Sequence, residues 1–185
     1  MNNKEILFTF DYELFLGESG SIERCLLEPT SLLIKLFKKN KVNATFFIDT
    51  TFLQRLKEQG FIRQFSLVER QLQSLVENGH RIELHLHPNW YDSKFSVEDR
   101  AWVFENYRYY QLRNCPDSIL RSQFENGYEI LVNSATKVDS GYRPIAFRAG
   151  GWCVDPIGKI LEMFDRYNIL IDSSVLPNTR EEGEI

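Results

Sequence analysis

Cysteine is scarce in this chain. Cys25, Cys115 and Cys153 are odd in number, far apart and free of any C-x-x-C pair, so neither a disulfide framework nor a thiolate zinc site is expected. A reducing compartment fits that usage. Positive charge is also short: 22 Lys and Arg face 26 Asp and Glu, for a net charge of −4 and a pI near 5.5. That balance gives no general attraction to phosphate backbones or anionic lipid, and nucleic acid is not expected as a partner. The densest basic cluster, Lys38, Lys39 and Lys41, falls at the end of a predicted helix, where cations suit the helix dipole. No apolar run approaches the roughly 20 residues of a membrane span. The apolar part of MNNKEILFTFDYE is too short for a signal-peptide core and reaches acidic residues at once, which makes the cytoplasm the expected compartment. Repeats, low-complexity tracts and linkers are missing too, and residues 180–184 read as a frayed terminus.

What is present is an ordinary globular composition, 43% hydrophobic and 26% charged, in 185 residues. A chain of that length forms one domain, residues 1–185, burying about 70% of its unfolded surface. Short apolar runs alternate with helical periodicity. Strands are predicted over 6–10, 44–48, 81–86, 145–148 and 169–172. Helices are predicted over 28–40, 51–60, 66–78 and 155–167, with Gly79 as a stop and Pro156 in a first turn. Pro88, Asn89 and Asp92 mark a loop, followed by a long helical region over 97–137 that Cys115-Pro116-Asp117 divides in two. Alternating β and α elements imply a parallel sheet.

Side chains along a strand alternate between two faces, so the polar residues can be sorted by parity. Thr9, Asp11 and Glu13 oppose Ile6, Phe8 and Phe10. Glu83, His85 and His87 oppose Ile82, Leu84 and Leu86. Arg148 opposes Ile145 and Phe147, and Asp172 closes the last strand. Each alone could be a polar strand end meeting solvent. Four strands whose ionisable residues fall at their C-terminal ends point instead to one pocket, since that edge carries the site in parallel α/β folds. A D-x-E pair beside an H-x-H pair is a nitrogen-and-oxygen set suited to zinc or another first-row divalent ion. His80, of opposite parity to His85 in its strand and directly after Gly79, is assigned a structural, hydrogen-bonded role. Trp90, Tyr91 and Trp152 lie on loops where aromatic faces could stack on sugar rings, wall a pocket or simply pack in the core. The aromatic stretch Trp102 to Tyr110 is expected to be helix core.

These residues resemble the polysaccharide deacetylase family, carbohydrate esterase family four, from about Phe8 to Pro177. FTFDYE is similar to the family's first motif, usually T-F-D-D. ATFFI resembles its second strand, and ENGHRIELHLHPNW the segment carrying its metal histidines. AFRAGGW resembles the R-x-P-Y motif, and LIDSSVLP the strand with a later aspartate. The resemblance implies a (β/α) barrel of the glycoside hydrolase and deacetylase type, with a strand count that leaves its C-terminal side incomplete. It implies a metal-dependent hydrolase that removes acetyl groups from an acetylated sugar or polysaccharide precursor. Asp11 would be the general base, paired with Arg148, and Asp172 would join them as a catalytic group. Glu13 and His85 would hold a divalent ion, zinc in first place, with His87 or Asn89 in the position of the second histidine. Trp90, Gly150, Gly151 and Trp152 would meet the substrate.

Two departures from the family pattern stand out. The second carboxylate is Glu13, one position later than usual, and Asn89 occupies the usual place of the second histidine, which makes His87 the better nitrogen ligand. The family's late histidine, a general acid, has no counterpart before Ile185, so weak or absent turnover is expected of this chain alone. Two rivals follow: a glycosidase using Asp11 and Asp172, which leaves the histidines without a role, and a non-catalytic metal- or carbohydrate-binding relative.

Overall fold

The computed structural model describes residues 5–14, 20–104, 107–152 and 154–175. Five strands, β1 (Thr9–Tyr12), β2 (Thr45–Asp49), β3 (Arg81–Leu86), β6 (Ala146–Ala149) and β7 (Ile171–Asp172), form one parallel sheet in the order β1-β2-β3-β6-β7. Strands added in chain order, without a reversal, place successive crossovers on the same side. That is the progression of a (β/α)-barrel-type fold, here an open five-stranded sheet among the described residues. The crossovers are α1 (Glu28–Asn40), α2 (Thr50–Glu58) with α3 (Ile62–Glu77), α4 (Asp117–Ala135), and α5 (Gly158–Tyr167).

Both faces of the central strand are buried, as a parallel sheet requires. Phe46, Ile48, Ile82, Leu84, Leu86 and Phe147 form the core with Phe52, Leu53, Leu72, Leu75, Phe124 and Leu131 from the helices. Gly127 lets α4 approach: a Cβ there would lie 2.2 Å from Thr50 Oγ1 and 3.1 Å from Leu84 Cδ1. His80 is indeed structural, its Nδ1 accepting the Ala44 N–H at 3.1 Å between the rings of Phe37 and Phe46.

Two sequence expectations are corrected. The first strand starts at Thr9, with Ile6 and Leu7 79% and 77% exposed. As an edge strand β1 pairs only with β2, and that ladder begins at Thr9 and Thr45, so apolar character alone misplaces it. The start of the predicted helical region is instead extended: Ala101–Val103 forms β5, paired antiparallel with β4 (Lys94–Ser96) just before the region. Trp102 packs against Phe52, Phe61, Phe95 and Trp90, with ring centroids 5.4 to 5.9 Å apart. Cross-strand aromatic packing outweighs the helical spacing there. The second half is helical, as α4.

Candidate active site

The register puts Asp49, His85 and Arg148 side by side across three strands, and Asp11 level with Phe47 and Glu83 two residues earlier in β2 and β3. All share the sheet face opposite the helix-packed Ile48, Leu84 and Phe147. At its C-terminal end, Glu13 Oε2 lies 3.0 Å from His85 Nε2 and in closer contact with His87 Nε2, and the two Nε2 atoms are 3.1 Å apart. Glu13, His85 and His87 are the one group among the described residues able to offer three ligand atoms to an ion.

The proton inventory of this triad is informative. His85 Nδ1 lies 2.7 Å from the Arg148 carbonyl, which only accepts, so Nδ1 carries a hydrogen and Nε2 is the nitrogen turned toward Glu13. Carbonyl anchoring of this kind orients ligating histidines. The centre thus gathers a carboxylate oxygen and two imidazole nitrogens whose lone pairs need a cation between them. A proton is one solution. Burial opposes charge on both His87 and Glu13, yet the hydrogen bonds of Glu13 with His85 and His87, helped by the charges around them, outweigh it, holding the Glu13 carboxyl well below its usual range and raising the His87 pKa. A divalent ion is the other solution, and two imidazoles with one carboxylate is a set that zinc and its neighbours accept. Asp49 adds to the fit. It is 1% exposed, its Oδ2 has no partner among the described residues, and burial raises its pKa against the pull of His87 and His85. A buried carboxylate with an unpaired oxygen favours a nearby cation. The residues present fit a divalent metal.

Beside the triad, the Arg148 guanidinium donates through Nη1 to Asp11 Oδ1, and through Nη2 to Thr9 Oγ1 at 3.1 Å and Ser173 Oγ at 2.9 Å. It lies 4.0 Å from the ring centre of Phe47 and 5.4 Å from that of Trp152. A cleft of about 140 Å³ opens over these groups, lined by Asp11, Glu13, Leu14, His85, His87, Tyr110, Gly151 and Trp152. Gly150 permits the close packing beneath: a Cβ there would meet His87 Nδ1 at 2.5 Å and the Leu86 carbonyl at 2.6 Å. Gly151, at φ 62°, leaves room for the Tyr110 hydroxyl.

Three sequence candidates are placed elsewhere. Asp172 pairs in register with Phe147, so it faces the helix side, and its Oδ1 accepts from the N–H and hydroxyl of Ser174. Ser173, one residue on, reaches Arg148 instead. Asn89 is fully buried in the turn Pro88–Asp92 and does not line the cleft, which leaves His87 as the second nitrogen. Trp90 is 1% exposed and packs on Phe52, Trp102 and Phe104, a core residue with no face for a sugar. Trp152 is 45% exposed at the cleft, and Tyr91 is exposed outside it. Sequence reasoning missed Asp49, although its place at a strand end beside His85 followed from the same parity argument. Leu14 and Tyr110 carry no signal of their own.

The polysaccharide deacetylase family model matches residues 1–151, and the chain belongs to that family. No curated protein sequence matches significantly. Among solved structures, the wild-type BA3943 pseudoenzyme of carbohydrate esterase family 4 from Bacillus anthracis superposes with a TM-score of 0.55 at 13% identity, over 92% of this chain and 43% of that one. The Bc1960 peptidoglycan N-acetylglucosamine deacetylase gives 0.55 at 20% identity, over 92% and 56%. A family 4 carbohydrate esterase from Streptomyces lividans, in complex with acetate, gives 0.53 at 14% identity, over 91% and 62%. At these identities the likeness is one of fold. The chain spans about half the length of these relatives, between 43% and 62%.

Proposed function

We propose that this chain is a metal-dependent hydrolase that releases acetyl groups from an acetylated sugar or polysaccharide precursor, with zinc on Glu13, His85 and His87. The observation that carries it is the convergence of three lone-pair donors next to a carboxylate, Asp11, held by a buried arginine over a shared cleft. When bound, a divalent ion supplies Lewis acidity and lowers the pKa of a water from 15.7 toward about 7. Asp11 takes the proton of the attacking water and, once protonated, is the acid at the cleft that returns it to the departing nitrogen or oxygen as the C–N or C–O bond breaks. Arg148 offsets the charge of Asp11 and fixes its orientation through Thr9, Ser173 and the Phe47 ring. The Tyr110 hydroxyl, packed against Gly151 at the cleft, is a neutral donor within the same lining that can stabilise a developing oxyanion. Trp152 offers an exposed indole to a sugar face. Membership in the polysaccharide deacetylase family supports this substrate class, as does the peptidoglycan substrate named for Bc1960.

A second reading, a relative that binds metal or carbohydrate without turnover, is favoured by the D-x-E spacing, which departs from the family's paired aspartates. One experiment separates the two: elemental analysis of the purified protein with an acetate-release assay on N-acetylglucosamine oligomers. The expected result is about one equivalent of zinc, lost in His85→Ala, and weak acetate release, lost in Asp11→Asn. Zinc uptake without acetate release selects the second reading. Protein that retains no divalent ion overturns the first reading and the metal-binding form of the second.

A further inference from the structure

β2 ends at Asp49, opposite His85, so His87 lies beyond the ladder on that side. Its N–H is taken up by a side chain. His87 N donates to Thr51 Oγ1 at 3.0 Å, and Thr51 Oγ1 in turn contacts Asp49 Oδ1. The direction is fixed by chemistry: a hydroxyl has one proton, the carboxylate oxygen only accepts, and the hydroxyl lone pair is left for the amide. Thr50 Oγ1 donates to the His85 carbonyl at 3.3 Å. Three consecutive residues at the start of α2 thereby hold the backbone of both histidines, and all three are at most 2% exposed.

We propose that Asp49, Thr50 and Thr51 act as a positioning clamp that sets the two imidazoles for a divalent cation, with the Thr51 hydroxyl as its centre. This rests on the reading of the triad as a metal site. Helix capping alone accounts for only part of the arrangement. It explains why Asp49 Oδ1 accepts the Phe52 N–H at 3.2 Å. It does not call for Thr51 to accept from another strand, nor for Thr50 to reach His85. Gly127 of α4 presses on the clamp from behind, since any Cβ there would lie 2.2 Å from Thr50 Oγ1. Groups that orient metal ligands in this way typically change metal affinity by about 10- to 100-fold when removed.

The test compares Thr51→Val, which keeps the shape and loses the hydroxyl, with Thr51→Ser, which keeps the hydroxyl. Zinc affinity is read by competition with a chromophoric chelator, and site geometry by the visible spectrum of the cobalt-loaded protein. Thr51→Val is expected to bind zinc about 10- to 100-fold more weakly with an altered cobalt spectrum, and Thr51→Ser to remain within about 3-fold of wild type. Unchanged affinity and spectrum in Thr51→Val overturn the clamp, and so does a Thr51→Ser variant as weak as Thr51→Val. If Thr51→Val does not fold, amide exchange in the metal-free wild type decides: the His87 amide is expected to be strongly protected, and free exchange there overturns the proposal. Wild-type protein that binds no zinc overturns the underlying reading of the site, whereas zinc binding indifferent to Thr51 overturns the clamp alone.

Discussion

Replacing Arg148 by methionine removes the guanidinium while keeping an apolar stem against Phe47. Arg148 is almost fully buried, with a side chain 7% exposed, and Asp11 retains 23%. Breaking a fully buried pair costs about 3–5 kcal/mol, because the remaining charge is left unpaired. Asp11 keeps access to water from the cleft, which lowers that share to roughly 2–3 kcal/mol. Losing the cation above Phe47 adds about 1 kcal/mol. Arg148→Met is therefore expected to destabilise by roughly 3 kcal/mol. Asp11→Asn leaves the guanidinium with Thr9 and Ser173 as neutral partners and is expected to cost roughly 2 kcal/mol. The double variant has no unpaired charge, so its cost should fall short of the sum by about 1–3 kcal/mol. Urea unfolding of the metal-free protein at fixed pH measures all three. Costs that add to within about 0.5 kcal/mol would refute the pairing as an energetic unit.

In metal-free protein, the Glu13–His87 pair sets the pH profile, and the pair counts once. The depressed Glu13 carboxyl contributes stability present above its ordinary value of 4.5 and lost as pH falls through the folded value; the raised His87 contributes stability present below 6.5 and lost as pH rises through its folded value. Thermal unfolding is expected to peak between those two values, and a metal-free midpoint that rises steadily from pH 6 to 8 would count against the pair. Gly150→Ala forces a Cβ against His87 Nδ1 and the Leu86 backbone, and is expected to cost about 1–3 kcal/mol in denaturant together with a measurable loss of zinc affinity. Trp90→Ala should destabilise by about 3–5 kcal/mol as a core truncation, whereas exposed Trp152→Ala should stay within about 0.5 kcal/mol in denaturant while weakening oligosaccharide binding.

Strand parity was enough to bring Asp11, Glu13, His85, His87 and Arg148 to one side of a parallel sheet, because each lies in a strand or one residue past its end, where the path is still extended and polar residues alternate with apolar ones. The same rule failed for Asp172. The last strand pairs over two residues only, so its face is set by register with β6, a tertiary fact that its own residues do not encode. Of the alternatives open for Trp90, core packing holds and the substrate face does not, for a related reason. A tryptophan beside a site motif resembles a substrate platform until the hairpin after it is known to fold back and enclose the ring. That hairpin, in turn, was hidden because aromatic residues spaced through 95–104 satisfy helical and extended patterns alike, and only contacts with Phe52 and Phe61 distinguish them.

The position of Glu13 shows how the site accommodates its departure from the family's paired aspartates. A carboxylate directly after Asp11 would fall at Tyr12, which points to the helix side, where its hydroxyl donates to Gln71 at 2.8 Å. Two residues after Asp11, parity returns the side chain to the site face, beyond the end of β1 and with a longer reach. The histidines follow the same logic. Spacing of two keeps His85 and His87 on one face of an extended segment, whereas a residue four beyond His85 sits in the Pro88–Asp92 turn, where the path is no longer extended and Asn89 is drawn into the core. Carboxylate and imidazole are thus displaced together, each to the position that its own backbone aims at the common centre. A reversion of one alone should weaken the set: a Tyr12→Asp, Glu13→Ala variant buries a carboxylate against Gln71 and leaves His87 without its partner. Restored or improved zinc affinity in that variant would show that the D-x-E spacing is incidental to this site.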